Sequence, residues 1–281
     1  MSRRCILCGN ESHTGYSKGV VKCRTCGFTF ADTDLTESDL LQIYQRKYFF
    51  GDEYSNYLAD QRAIQKNFNL RLSELKKHLD PARHKTLLEI GSAYGFFLLL
   101  AKDCFESVQG IDITEDGVKY CTEQLRLNVT KADLLRADLG QQKFDVVCLW
   151  DTIEHLVAPH LYIQKISQHM NSGALLAITT GDIDSLNARF RKEGWRLLHP
   201  PTHLQYFSKP TIERLLEQHQ FEVVYNRHCG FYRSVDNISY NLFVLRSKIP
   251  SVHRAISRIG AGRWSFYVNL YDIMYVIARR R

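Results

Sequence analysis

The sequence predicts a doubly wound α/β fold: a mainly parallel sheet of seven strands, preceded by a zinc ribbon and a helical cap. Three observations lead there. Apolar segments of strand length alternate with helical patterns from residue 86 onward. The first apolar strand runs through Glu89 and breaks into a loop bounded by Gly91 and Gly95, whose missing Cβ atoms let backbone N–H groups approach a ligand. Two later strands also end in acids, Asp112 and Asp151. Three such strand ends on one edge of a parallel sheet describe a nucleoside-cofactor site, with the Asp112 carboxylate accepting both hydroxyl hydrogens of a ribose.

The elements follow in order. Residues 1–34 read as the ribbon. Cys5-x2-Cys8 and Cys23-x2-Cys26 each set two thiolates on a tight knuckle, and Gly9 and Gly27 permit the turn after each pair. Two knuckles complete a tetrahedral shell for a structural Zn2+, and two disulfides or a chance pattern are the competing readings. So short a segment has almost no apolar core, so the metal would supply most of its folding free energy. Residues 35–80 read as a helical cap, starting with a helix at Thr36-Glu-Ser-Asp39. An aromatic run follows (Tyr44, Tyr48, Phe49, Phe50, Tyr54 and Tyr57). A helix from about Asp60 then carries the stripe Ile64, Phe68, Leu72, Leu75 and Leu79.

Residues 81–281 form the main domain. It opens with strand 86–90, helix 95–103, strand 107–113, helix 115–126 and strand 128–131. Strand 144–150 and helix 159–170 come next, with Pro159 suited to a first helical turn. Strand 174–180 is apolar on both faces until Thr179-Thr180, as a central parallel strand should be. An irregular stretch, 181–207, precedes a helix from about Ser208, and strands at 221–225 and 271–278 complete the sheet.

The glycine loop decides which nucleoside. Gly-Ser-Ala-Tyr-Gly lacks the third glycine of the dinucleotide fingerprint. Its E-x-G-x-x-x-G pattern, Glu89 to Gly95, resembles motif I of the class I methyltransferases that use S-adenosylmethionine (SAM). Phe144-Asp-Val-Val-Cys-Leu-Trp-Asp-Thr-Ile-Glu-His-Leu156 looks like their motif after the fourth strand. Gly194-Trp-Arg-Leu-Leu-His-Pro-Pro-Thr-His-Leu-Gln-Tyr-Phe-Ser208 resembles the small-molecule branch that includes ubiquinone-pathway O-methyltransferases. The resemblance covers roughly residues 85–230 and departs from the common pattern at Ala93, where many relatives carry glycine. It implies an antiparallel last strand and SAM across the carboxyl rim. Glu89, Gly91, Ser92, Ala93, Tyr94 and Gly95 would form the cofactor loop, Asp112 and Ile113 the ribose side, Asp133 and Leu134 the adenine side, and Trp150 and Asp151 the methionine end.

Methyl transfer needs alignment, a dry site and removal of the acceptor's proton. Histidine suits that proton at neutral pH. His155, one helical turn after Asp151, and His203, in a loop that looks like a substrate lid, are the candidate bases, with Asp151 beside them. A backbone-holding role for His155 and a capping role for Glu154 are the bland alternatives. Thr114 is expected to cap the helix after Asp112.

Net charge is +7, and residues 246–281 carry all of the excess, with eight Lys or Arg and one acid. This basic segment, which overlaps an insertion at about 238–268, would hold an anionic or carrier-linked methyl acceptor, lie peripherally on an anionic membrane with Ile249, Val252, Ile256 and Ile259 toward lipid, or be a solvated face. Nucleic acid is the disfavoured partner, because the ribbon is not strongly basic and Asp151-Thr-Ile-Glu-His155 is not the Asn/Asp-Pro-Pro-Tyr of similar RNA enzymes. O-methylation of a small metabolite, sugar-type or another biosynthetic intermediate, is the leading expectation; C- or N-methylation and RNA-directed methylation remain open. With neither a secretory h-region nor an apolar run of membrane-spanning length, a cytoplasmic protein is expected.

Overall fold

Leu87, Val146 and Leu175 have no exposed surface and lie side by side across the middle of the sheet that organises the molecule. Fully burying such a side chain contributes about 1.5–3 kcal/mol each. The computed structural model describes residues 4–17, 19–33, 39, 57–260, 262 and 264–281. The helix expected at Thr36 and the aromatics Tyr44, Tyr48, Phe49, Phe50 and Tyr54 lie outside the described residues.

Three short strands, β1 (His13–Ser17), β2 (Val20–Cys23) and β3 (Thr29–Ala31), form the N-terminal ribbon. Helix α1 (Gln61–Lys76) follows. The main sheet is built from β4 (Thr86–Ile90), β5 (Ser107–Asp112), β6 (Val129–Lys131), β7 (Phe144–Trp150), β8 (Met170–Gly181), β10 (Phe221–His228) and β13 (Ile273–Arg280). Its order is β10-β13-β8-β7-β4-β5-β6. Only β13 runs antiparallel to its neighbours; the remaining ladders are parallel. The chain moves outward from β4 to β5 and β6, then returns to β7. The crevice at the carboxyl ends of β4 and β7 is therefore the topological switch point where such sheets bind ligands.

Side chains alternate between two covered faces, as the period of two requires. Leu87, Val146 and Leu175 meet α1 and α2 (Phe96–Ala101) through Leu72, Leu75, Phe97 and Leu98. Leu88, Val147 and Leu176 meet α4 (Pro159–Gln168) and α6 (Lys209–Gln218) through Ile163, Ile166, Ile212 and Leu215. The helix expected over 115–126 is α3 (Glu115–Lys119) continued to Gln124 by wider, π-type turns.

Strand β8 begins at Met170, so the helix expected to reach 170 ends at Gln168 and Asn171-Ser-Gly173 lies within the strand. The stretch expected to be irregular contains α5 (Leu186–Arg191), capped by the Ser185 hydroxyl, and the two-residue β9 (Gln205–Tyr206). Strand β9 pairs with β3, so the ribbon sheet reads β1-β2-β3-β9. Between the last two sheet strands lies the insertion. It comprises β11 (Phe231–Ser234), α7 (Val235–Ser239) running into wide turns to Arg246, α8 (Pro250–Arg258) and β12 (Ser265–Val268), with β11 and β12 paired as a hairpin. Among the described residues, no helix is long and apolar enough to cross a membrane.

Candidate active site

The cofactor rim starts where β4 turns into α2. Gly91 has φ +77°, and a Cβ there would lie 2.6 Å from the Thr152 hydroxyl, so only glycine lets the two loops meet across the switch point. Its N–H donates to the Ile111 carbonyl at 2.8 Å, holding the loop to the end of β5. Ala93, the departure from the common glycine, takes φ +46°, a left-handed conformation that costs a residue with a Cβ. What holds it there is Asp112: the Ala93 N–H donates to Oδ2 at 2.7 Å.

Asp112 is nearly buried, and its Oδ1 accepts from the Thr114 N–H at 2.8 Å and the Thr114 hydroxyl at 2.5 Å. Thr114 occupies the N-cap position of α3 but spends its hydroxyl on Asp112 rather than on the helix, which corrects the expected cap. Burial pushes the Asp112 carboxyl upward in pKa, against the lowering pull of those donors. A carboxylate offers about four acceptor sites; these donors fill three and the Ile113 amide also bears on the group, so at most one is left.

Other predicted rim residues fall nearby. Glu89 is buried behind the loop, and burial, reinforced by Asp112, pushes its pKa well up. Glu89 Oε2, Ser92 Oγ and Trp150 Nε1 are buried and have no hydrogen-bond partner among the described residues. Each such orphan is costly unless something polar meets it. Tyr94 is buried against Tyr57 and Tyr120, with ring centroids 5.5 Å and 5.4 Å away. Ile113 is half-buried. Asp133 accepts from the Leu135 N–H at 2.7 Å and from the Tyr162 hydroxyl, so its carboxylate is already engaged. The Leu134 side chain points into the core, not to the rim. The Trp150 ring also packs inward, edge-on to Phe97 and Tyr275.

Beyond the end of β7 lies a cavity of about 780 Å³, within the range of small-molecule sites. Asp151 stands at its edge with φ +48°. Its Oδ1 accepts from the Thr179 hydroxyl at 2.9 Å and its Oδ2 pairs with the Arg71 guanidinium at 2.5 Å. Arg71 comes from α1 and also lies over the Trp150 ring, 5.6 Å from its centroid. One residue on, Thr180 donates to Glu154 Oε2 at 2.9 Å.

Glu154, His155 and His203 converge, with side-chain nitrogen and carboxylate atoms within 4.8 Å of one another. Their proton affinities are pushed apart from their ordinary order. Burial, then the Asp151 charge, raises Glu154 to about 8. Burial lowers His155 to about 4 and His203 well below the usual imidazole range. All three shifts favour the uncharged forms.

Both rings are oriented through Nδ1. His155 Nδ1 lies 2.9 Å from the Thr202 carbonyl and His203 Nδ1 2.8 Å from the Leu197 carbonyl. A carbonyl only accepts, so Nδ1 carries the proton and Nε2 the lone pair in each ring. His199 also lines the cavity, its ring centroid 3.9 Å from that of His203.

The ribbon supports this cluster. Its strand β3 pairs with β9, Ala31 N–H donates to the Leu204 carbonyl at 2.8 Å, and Leu204 N–H donates to the Glu154 carbonyl at 2.9 Å. His203 is thus fixed beside Glu154 from two directions. In the ribbon, the four cysteine sulfurs gather within 4.8 Å. Cys5 and Cys26 lie 3.4 Å apart and Cys8 and Cys23 3.5 Å apart, too far for a disulfide at about 2.05 Å. Burial raises the Cys5 and Cys26 thiols. At Cys23 the burial effect is outweighed by the Cys26 and Thr25 amides, which lower the thiol to about 7.

A doubly wound sheet ordered in this way, with a glycine turn at its switch point and an acid ending the second strand, defines the class I SAM-dependent methyltransferases. The comparisons agree. The chain belongs to the methyltransferase-domain family, whose model matches residues 58–226. No curated protein matches its sequence. Among solved structures, it resembles a possible histamine N-methyltransferase from Thermotoga maritima, with 15% identity, TM-score 0.55, and 86% of this chain and 100% of that one covered. It also resembles a magnesium protoporphyrin IX methyltransferase from Synechocystis with bound S-adenosylhomocysteine, with 13% identity, TM-score 0.55, and 85% and 99% covered. A SAM-dependent methyltransferase from Archaeoglobus fulgidus matches at 19% identity, TM-score 0.54, covering 80% and 99%. At these identities the likeness is one of fold. The protein is a SAM-dependent methyltransferase.

Proposed function

We propose that this enzyme methylates a hydroxyl of a small or medium-sized metabolite held in the cavity beside Asp151, with a histidine of the Glu154–His155–His203 cluster taking the proton. The convergence of those three side chains on the cavity wall carries the reading. SAM, when bound, supplies an electrophilic methyl group on a sulfonium. The residues fit it: the orphaned Glu89 and Ser92 oxygens offer polar partners behind the loop, and a ribose diol would take the last acceptor site of Asp112 and replace the Thr114 hydroxyl on Oδ1.

The protein's own part is alignment and proton removal. The acceptor hydroxyl loses its proton to an imidazole Nε2 as the oxygen–methyl bond forms and the sulfur–methyl bond breaks. His203 is the stronger candidate. His155 is drawn toward the Thr202 and Asp151 backbone, which suits a positioning role. Glu154, neutral at pH 7, is a hydrogen-bond donor to the acceptor. The arginines around the cavity, Arg71, Arg196, Arg233 and Arg246, favour an acceptor with anionic character.

The ribbon is read as a structural zinc site of Cys5, Cys8, Cys23 and Cys26. Tetrahedral thiolates at about 2.3 Å from zinc stand about 3.8 Å apart, close to the sulfur spacings here. Its role would be to hold the segment that carries His203.

The test is single-turnover methylation with a source-organism metabolite extract as acceptor pool. His203→Ala should keep SAM affinity while turnover falls by about 100-fold or more. Unchanged turnover removes His203 as the base.

A further inference from the structure

Helix α8 of the insertion is joined to α7 by polar contacts rather than by an apolar core: His253 Nδ1 lies 2.9 Å from the Ser239 hydroxyl, and Ser257 donates to Asp236 at 2.7 Å. None of its residues is buried. Of the apolar residues on and beside it, Ile256 is half-buried, while Ile249, Val252 and Ile259 are exposed, Ile259 to 78%. A helix packed on a globular core covers its apolar stripe.

The exposed charge along this stretch is basic, and the acid that touches α8, Asp236, is half-buried. Residues 238–271 hold five Lys or Arg and no acid. Lys248, Arg254 and Arg258 are exposed, and none of them forms an ion pair among the described residues. Trp264, 68% exposed, and the exposed Tyr267 on the β11–β12 hairpin add aromatic rings of the kind that settle at a membrane–water interface.

We infer that the insertion is a peripheral docking face for an anionic lipid bilayer, with the aliphatic side chains in the headgroup–acyl boundary and the basic side chains on lipid phosphates. Exposed aliphatic residues interspersed in sequence with the exposed basic ones favour lipid over nucleic acid, whose phosphate backbone has no use for them. This inference stands on the surface alone and is independent of the acceptor's identity.

The test is cosedimentation of the full chain with vesicles of phosphatidylcholine, with and without phosphatidylglycerol. Binding to the mixed vesicles, weakened at least tenfold on phosphatidylcholine alone, is expected. Each basic residue at an anionic surface is worth about fivefold, so Arg254→Ala/Arg258→Ala should weaken binding roughly 30-fold. Ile249→Ser/Ile259→Ser, an independent pair of exposed positions, should weaken it about tenfold or more. Circular dichroism and thermal unfolding verify that each variant is folded. Wild-type protein remaining in the supernatant with mixed vesicles, folded variants binding as wild type does, or RNA holding the protein more tightly than vesicles would each overturn the inference.

Discussion

The glycine-loop rim and the cavity beyond β7 share the carboxyl edge of one sheet but are assembled in different ways. The rim draws on one continuous stretch, from Glu89 to Asp151, and each of its groups sits at a strand end fixed by the sheet order. The cavity gathers side chains from Asp60 to Ile273, on α1, the post-β7 turn, the loop before β9 and the insertion. A site made by local turns is imposed by the fold. A site made by distant pieces is free to differ between proteins that share the fold, which is why fold places the donor but not the acceptor.

Four perturbations bear on that contrast, the strongest first. His203→Ala acts only on the cavity half, lowering turnover by about 100-fold or more with SAM affinity unchanged. Turnover that vanishes on chelation and returns with Mg2+ or Mn2+, but not Zn2+, would replace the base assignment by cation coordination at the same cluster. Arg71→Met removes the bridge between the two halves. It should raise the acceptor KM and lower stability by about 1 kcal/mol, a modest cost because the Asp151 side chain is 45% exposed. An effect on SAM affinity alone would place Arg71 on the rim.

The third is pH. His155 at about 4 lies below its ordinary 6.5, so between those values the unfolded chain binds more protons. Stability therefore falls as pH drops from about 6.5 toward 4, and His155→Gln flattens that limb in thermal unfolding. Glu154, raised to about 8 from 4.5, has the opposite sign. Its contribution is present below about 4.5 and lost as pH rises through 8, so Glu154→Gln flattens the alkaline limb. The smallest effect is on the rim. Ala93→Gly relieves a left-handed residue and should raise stability by about 1 kcal/mol, read from urea unfolding.

The sequence displayed the rim because glycine turns and terminal acids are local signals. Gly91, Gly95 and Asp112 stand at the switch point where their spacing put them. It also displayed the four cysteines as a cluster. Less legible were contacts made by chain return. Arg71 sits one position before Leu72 in an apolar stripe, with nothing local to mark it as reaching Asp151. Thr179 and Thr180 did leave a trace, as polar residues ending an otherwise apolar strand; each holds a cavity carboxylate. The pairing of β3 with β9 was hidden, since a two-residue strand has no periodicity to read. Asp133 shows a further limit: the strand-end position was clear, but the Tyr162 hydroxyl that occupies its carboxylate comes from another helix.

The central claim is that the donor's sugar diol is held by Asp112. Isothermal titration of S-adenosylhomocysteine into wild-type and Asp112→Asn protein tests it most directly. Wild type should bind one equivalent, and the asparagine variant, able to accept from Ala93 or Thr114 but not both, should bind about 10- to 100-fold more weakly, with circular dichroism verifying that it is folded. Absence of heat with the wild type, or equal affinity in the two proteins, would contradict it.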